Sequence, residues 1–335
     1  MYSQVVSRAR QVISRLFIVS LILASVAGCC IVPVGGGSIN PFSEEYDEKV
    51  IQGEGTDKVL VIPIEGVITD QETAGFFGPT EESMVAQVMT QLNRAREDSA
   101  VRAIILKINS PGGGVTASDI IHREIKKFKK EKDIPVIAVF MDIAASGGYY
   151  VAMSADRVYA HPTTVTGSIG VIFGLVNVKE GLDKIGIKDY SITSGENKAI
   201  GSATREMTEE QKRILQSIVD DLYQRFVSVI DEGRPNLTRN RILELADGRV
   251  YSANQAKANG LVDDVGYFDE FLDKLKTLPN YRGGSDPRVV LYSRSDRKLN
   301  NVYQTPGAES SDLGRIIKEL VFPGSSAKFY YIWNP

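Results

Sequence analysis

This chain contains very little of what builds disulfide scaffolds and zinc modules. Its 335 residues include two cysteines, the adjacent Cys29 and Cys30, and two histidines, His122 and His161. Neighbouring cysteines do not easily reach ordinary disulfide geometry, and two cysteines with two distant histidines make a poor zinc site. An excess of either charge is missing as well. Lys and Arg number 39 against 42 Asp and Glu, a net −3, so no global basic field recruits nucleic acid. Thirteen prolines and 30 glycines are too few for a collagenous or low-complexity chain. What remains is an ordinary globular composition, 43% hydrophobic and 24% charged, long enough for about two domains.

The charge is unevenly placed. Arg8, Arg10 and Arg15 give residues 1–15 a charge of +3 with no acid, which leaves −6 for the rest, and no charged residue occurs from Leu16 to Ser43. A basic start followed by an apolar run has the form of a secretory signal. It ends at Val26-Ala27-Gly28-Cys29, similar to the bacterial lipobox in which the cysteine is lipidated and becomes the new N-terminus. The other reading is an uncleaved transmembrane helix over residues 16–34, whose 19 residues fall within the roughly 17–25 needed to span a bilayer. The small residues before Cys29 favour the lipobox. Both readings attach the chain to a membrane, with the arginines inside and the bulk outside the cytoplasm, in the periplasm or beyond the cell. Residues 35–57, from Gly35-Gly36-Gly37 through the acidic Glu44, Glu45, Asp47 and Glu48, read as a solvated tether. The folded part is expected from near Lys58.

Strands and helices then alternate, which predicts an α/β fold with helices covering the sheet. The pattern predicts strands over 59–64, 101–108, 135–141, 157–160, 170–173 and 190–193, and helices over 82–97, 115–132, 145–155 and 178–185. Thr208-Glu-Glu-Gln211 forms a capping box at the head of a long helix. Ile214, Ile218, Leu222, Phe226 and Ile230, flanked by Leu215, Val219, Tyr223 and Val227, make its stripe wide, which fits core packing first and a subunit contact second. Residues 277–311 are rich in turn formers, and 324–335 read as a loose tail. The basic run Lys126–Lys132, interrupted by Glu131, reads as a solvated helix face.

Two segments suggest chemistry. Met141-Asp-Ile-Ala-Ala-Ser146-Gly-Gly sets a serine where a strand turns into a helix, a relative of the G-x-S-x-G nucleophile elbow with Ala144 in place of the first glycine. There the backbone N–H of Gly147 is free to face an oxyanion. A packing turn of small residues is an equal reading of this segment alone. Asn109-Ser-Pro-Gly-Gly-Gly114 exposes further donors, and it lacks the Lys-[ST] that a phosphate-binding loop requires. Three residues are candidate bases. His161 beside Pro162 reads as structural, and nothing in the sequence recommends His122. Lys198 lies in a glycine-punctuated loop, the kind of place where function collects. A lysine acts as a base only where burial lowers its pKa from about 10.4 towards 7, a differential cost of roughly 4–5 kcal/mol.

Five segments in order, KINSPGGGVTAS (107–118), AASGGYYVAMSAD (144–156), TGSIGV (166–171), SGENKAIGS (194–202) and DGRVYSANQAKANGLVDDVG (247–266), resemble those of SppA-type signal peptide peptidases. The resemblance covers about residues 58–275. It implies a ClpP/crotonase-like fold of repeated ββα units in a peptidase domain over 58–276, followed by a C-terminal extension over 277–335. It further implies a Ser–Lys serine endopeptidase that degrades remnant signal peptides and other hydrophobic peptides at the membrane, without a cofactor. Ser146 would be the nucleophile, Lys198 the general base, Ser168 the partner of the lysine amine, and Gly113 and Gly147 the oxyanion donors. The short members of the family form homo-oligomeric rings in which neighbouring protomers can complete the dyad. Ala203 departs from the proline that many members carry, and the lipobox at Cys29 is not a general family feature. Three alternatives stay open: a ClpP-type Ser–His–Asp peptidase using His161, a crotonase-like acyl-CoA enzyme, and a non-catalytic ring scaffold.

Overall fold

A run as apolar as Val59–Ile64 is stable in a strand only if both faces of that strand are covered. The computed structural model describes residues 46–72, 82–293, 301–303 and 329–333, and it has that arrangement. Its elements are β1 (Asp47–Gln52), β2 (Lys58–Glu65), α1 (Met84–Glu97), β3 (Val101–Ser110), β4 (Gly112–Gly114), α2 (Val115–Lys132), β5 (Val136–Ala145) and α3 (Gly147–Ala152). There follow β6 (Arg157–Ala160), β7 (Val165–Gly167), α4 (Lys179–Lys184), α5 (Glu209–Gly233), α6 (Arg239–Leu245), β8 (Val250–Ser252), α7 (Ala253–Ala258), β9 (Asp264–Val265), α8 (Phe268–Lys276), β10 (Arg288–Ser293) and β11 (Tyr330–Ile332). The main sheet runs β1-β10-β2-β3-β5-β6-β9, parallel except for the antiparallel edge pair β1–β10.

Side chains of the central strands alternate between two cores. Leu60, Ile62 and Ile64 join the larger one with residues of α1, α2, α3 and α5. Val59 and Val61 point the other way, into a smaller cluster with Phe268, Phe271, Leu272 and Leu275 of α8. Fully burying one such aliphatic or aromatic side chain is worth about 1.5–3 kcal/mol. Helix heads are secured locally: Ser83 Oγ accepts the Ala86 N–H at 3.2 Å, and Thr208 and Gln211 form the expected capping box on α5.

The strand β5 forks the sheet. Ile137–Phe140 pair with β6, whereas Ile143–Ala145 pair with β7, which continues to the antiparallel β8. The Asn109 side chain caps the fork by accepting the Ile143 N–H at 3.1 Å. The strand thus runs straight to Ser146 at the tip of the second branch.

Several expectations change. Residues 47–52 are a strand of the sheet, not part of a tether, because β1 pairs with β10, a strand hidden in the turn-rich stretch after Lys276. The strand expected at 170–173 reduces to a bridge between Ile172 and Tyr330, and 190–193 is a loop. On α5 only Phe226, Val227, Val229 and Ile230 are buried, so its wide stripe enters the core at one end and leaves Ile218 exposed. The tail is not loose at Tyr330–Ile332, which pairs with β4. Lysines 126, 127 and 129 pair with Glu232, Glu131 and Asp156, as a solvated face does. The N-terminal segment 1–34, with the lipobox at Cys29, lies outside the described residues. Among the described residues no helix is long and apolar enough to cross a membrane.

Candidate active site

The small residues around Ser146 allow a turn that few sequences could make. Ser146 has φ +52° and ψ −113°, a left-handed conformation that a residue with a side chain adopts only when its surroundings impose it. They do so through backbone bonds on both sides. The Ser146 N–H donates to the Gly167 carbonyl at 2.7 Å, and its carbonyl accepts from Tyr150 at 2.9 Å as α3 begins. The residue is 1% exposed, and its Oγ has no hydrogen-bond partner among the described residues. A buried hydroxyl without a partner is costly in a packing turn and natural in a nucleophile.

Gly147 and the glycines of β4 meet beside this hydroxyl. A Cβ on Gly147 would lie 2.5 Å from Ser118 Oγ and 3.1 Å from both the Gly113 nitrogen and the Tyr331 carbonyl oxygen. A Cβ on Gly112, which has φ +104°, would lie 2.7 Å from the Gly147 nitrogen. Only glycine lets the two backbones come this close. The β4 turn is pinned by Ser110, whose Oγ donates to the Gly66 carbonyl at 2.6 Å and accepts the Gly112 N–H at 3.0 Å.

Both edges of β4 are occupied. On one, the Ile68 N–H donates to the Gly112 carbonyl and the Ile68 carbonyl accepts from Gly114, each at 2.9 Å. On the other lies β11, antiparallel, with Tyr331 opposite Gly113. Trp333 donates to Pro111 and Val115 donates to Phe329, so Tyr331 and Gly113, the pair between them, exchange both ladder bonds. The Gly113 N–H is therefore aimed at a peptide carbonyl oxygen that also sits over Gly147.

The remaining expected residues are placed less uniformly. Ser168 follows β7, one residue beyond the carbonyl that holds Ser146. It too has a positive φ, +49°, and its N–H donates to Arg249 at 2.7 Å. Lys198 stands exposed in the loop between α4 and α5. Among the described residues, no hydrogen bond or ion pair joins its side chain to Ser146 or Ser168. The fold of one chain brings Ser146, Gly147, Gly113 and Ser168 together, and among the described residues no hydrogen bond or ion pair ties Lys198 to them.

The loop that carries Lys198 is bonded mainly to itself. Asp189 pairs with Arg205 at 2.8 Å, and Val178 donates to Ala203. Salt and hydrogen bonds from Arg205, Ser191 and Thr204 hold the Asp189 carboxyl well below the usual carboxylate range. The same excursion exposes Ile185, Ile187, Tyr190 and Ile192, the last at 99%.

Neither histidine serves Ser146. His161 Nδ1 pairs with Thr163 Oγ1 at 2.9 Å, and its ring lines a polar cavity with Glu65, Lys107, Asn109 and Asp142. His122 is buried in α2, edge-on to Tyr150, with no partner for either ring nitrogen among the described residues. Burial pulls its pKa down to about 4, helped by Lys126 and Arg225 and opposed by Asp119 and Glu232.

Sequence reasoning missed the strand beside the elbow. Phe329-Tyr-Tyr-Ile-Trp333 is a run of aromatic and β-branched residues, a strand signal that the surrounding tail obscured.

Comparison with known proteins agrees with this architecture. The model of peptidase family S49 matches residues 128–282, and that of Clp protease matches residues 62–166. A protein assigned as signal peptide peptidase SppA in Enterococcus faecium is 38% identical over 298 residues, covering 86% of this chain and 85% of its own length. Protease 4 of Haemophilus influenzae is 35% identical over 68% of this chain and 35% of its own. The chloroplastic serine protease SPPA of Arabidopsis thaliana is 30% identical over 80% of this chain and 39% of its own.

Proposed function

Because this chain belongs to peptidase family S49 and is a serine protease, we propose that Ser146 and Lys198 form its catalytic dyad and that it degrades remnant signal peptides and similar hydrophobic segments at a membrane. The observation that carries this reading is the buried Ser146 hydroxyl on a left-handed elbow, without a hydrogen-bond partner among the described residues, where the Gly147 backbone packs closely against the Gly112–Gly113 turn.

The chemistry is acyl transfer. Ser146 Oγ attacks the substrate carbonyl carbon while its proton passes to Lys198 Nζ. The Gly113 and Gly147 N–H groups hold the oxyanion, a contribution of about 2.7–4 kcal/mol for each donor. The C–N bond then breaks as the amine takes the proton from Lys198. Water, deprotonated by the same amine, cleaves the ester and restores the Ser146 hydroxyl. Ser168, next to the elbow, positions the lysine amine. Hydrophobic substrates suit the groove at the end of β4, about 400 Å³, which Val67, Ile68, Gly114, Val115, Ile218 and Leu222 help to line.

The dyad is completed between copies of the chain. Two features support this: Lys198 is exposed and unjoined to its own Ser146, and its loop presents a cluster of uncovered apolar side chains that a neighbouring protomer would bury. A homo-oligomeric ring would place each loop on the next protomer. Attachment at Cys29, with the peptidase domain outside the cytoplasm, would bring the site to peptides left in the bilayer.

Mixing variants tests the dyad and its sharing together. Ser146→Ala and Lys198→Ala chains should each be inactive on a labelled signal peptide, and rings assembled from both should regain activity. Full activity of Lys198→Ala alone refutes the dyad. Mixed rings without recovery, with mixing shown by tagged subunits, refute the shared site.

A further inference from the structure

The sheet face turned towards α8 does not stay apolar to the ends of its strands. Val59 and Val61 of β2, Ala103 and Ile105 of β3, and Ile137 and Val139 of β5 lie in the smaller core. The period of two then brings Glu65, Lys107 and Asn109 to the same face. They stand outside the carboxyl ends of parallel strands, where α/β sheets take their ligands. With Asp142, His161 and Tyr303 they line a cavity of about 280 Å³, to which neither Ser146 nor the glycines of β4 contribute.

Unfilled donors collect in this cavity. The Lys107 side chain is 4% exposed and that of Glu65 10%, with Nζ and Oε1 2.9 Å apart. Glu65 Oε1 still has no hydrogen bond among the described residues, so the pair is close but poorly aligned. One carboxylate oxygen cannot use the three protons of an ammonium in any case. Asn109 Oδ1 is taken by the Ile143 N–H at 3.1 Å, which leaves both protons on Nδ2. His161 Nδ1 accepts the Thr163 N–H at 3.3 Å, which puts the proton of the neutral ring on Nε2. Among the described residues, neither Asn109 Nδ2 nor His161 Nε2 has an acceptor. A buried ammonium in such company is costly unless a further acceptor is supplied.

We propose that this cavity is a second ligand site, separate from the dyad, for a small zwitterion of the amino-acid type. The ligand carboxylate accepts from Lys107 Nζ, Asn109 Nδ2 and His161 Nε2, and its ammonium faces the carboxylate of Asp142, which is exposed at the rim. Glu65 already balances the charge of Lys107, so a dianion such as phosphate is poorly matched, whereas one carboxylate joined to one ammonium brings no net charge. Hydrolysis of peptides, the chemistry of this family, supplies molecules of that class. Asn109 links the cavity to the elbow. Between the pairs Ile108–Phe140 and Ser110–Ala144, three residues of β5 stand opposite Asn109 alone, a bulge that its side chain holds. A ligand on Nδ2 steadies the same amide that aims the strand at Ser146.

The test is binding to the full chain in detergent, by calorimetry, with alanine, N-acetylalanine, alaninamide and inorganic phosphate as probes. Alanine should bind saturably. At ten times its dissociation constant it should raise the melting temperature by about 3–6 °C. Alaninamide, which lacks the carboxylate, and phosphate should each bind at least about tenfold more weakly. Ser146→Ala should bind alanine as wild type does, so the outcome is independent of the peptidase reading. Lys107→Met combined with Glu65→Gln removes the ion pair and should abolish binding. Because both residues are buried, the exposed Asp142→Asn is the second variant: it should weaken alanine about two- to fivefold and leave N-acetylalanine unchanged. Absence of saturable alanine binding, alaninamide or phosphate binding as tightly as alanine, or an Asp142→Asn chain that weakens both carboxylates alike would each overturn the proposal.

Discussion

Ser146 holds a backbone conformation, φ +52° and ψ −113°, that costs a residue with a side chain about 1–3 kcal/mol. Its hydroxyl adds a second cost, since Oγ is buried without a partner and an unsatisfied polar group is worth about 1–3 kcal/mol. Two inactive variants separate these terms. Ser146→Ala removes the hydroxyl and keeps the strain, so it should be more stable than wild type by about 1 kcal/mol. Ser146→Gly also relieves the strain, set against about 0.5–1 kcal/mol of extra chain entropy, and should gain about 1 kcal/mol more. At about 2–4 °C per kcal/mol for a domain of around 200 residues, the melting temperatures should rise in the order serine, alanine, glycine by a few degrees overall. Thermal scans at matched assembly state, checked by urea unfolding, resolve such steps. A glycine variant that melts at or below the alanine variant would falsify the claim that the elbow is strained.

Three other outcomes are expected. Gly113→Ala drives a methyl group into the Ile68 backbone; it should lower kcat/KM at least about 100-fold through loss of one oxyanion donor, and a variant with wild-type kinetics would remove Gly113 from the site. His122 is neutral in the folded chain with a pKa of about 4 against 6.5 unfolded, so the unfolded state takes up more protons as pH falls. Stability should drop by about 2 kcal/mol between pH 7 and pH 5, with the loss complete below about pH 4; His122→Phe should flatten that slope in urea titrations, and an unchanged slope would assign it to other groups. Mass spectrometry of the mature N-terminus should find an acylated Cys29, whereas an intact Met1 would favour the membrane-spanning reading.

Legibility from sequence followed the range of the interactions. The helix Val115–Lys132 and the capping box at Thr208 depend on residues within a few positions, and both stand where the pattern places them. The turn at the elbow was readable from its small residues between a strand and a helix, whereas the choice of Ser146 over a mere packing turn came from the resemblance. The strand β1 was not, since DEKVIQ is a polar edge strand and its partner lies at the other end of the described chain. For β11 the difficulty was greater: its strand character depends on the open edges of Gly113 and Ile172, which no local pattern displays. The resemblance named Lys198, but position along a chain does not reveal that its side chain stands exposed, with no bond to Ser146 among the described residues.

The pairing of β4 also has a history in time. Its first neighbour, Ile68, precedes it in the chain, whereas β11 follows it by most of the described length, as β10 follows β1. A chain made and moved from its N-terminal end therefore exposes the elbow and one wall of the cleft long before the segment that fills it exists. Such distant pairings form slowly. Until they do, the cleft offers an unpaired edge to any extended peptide nearby.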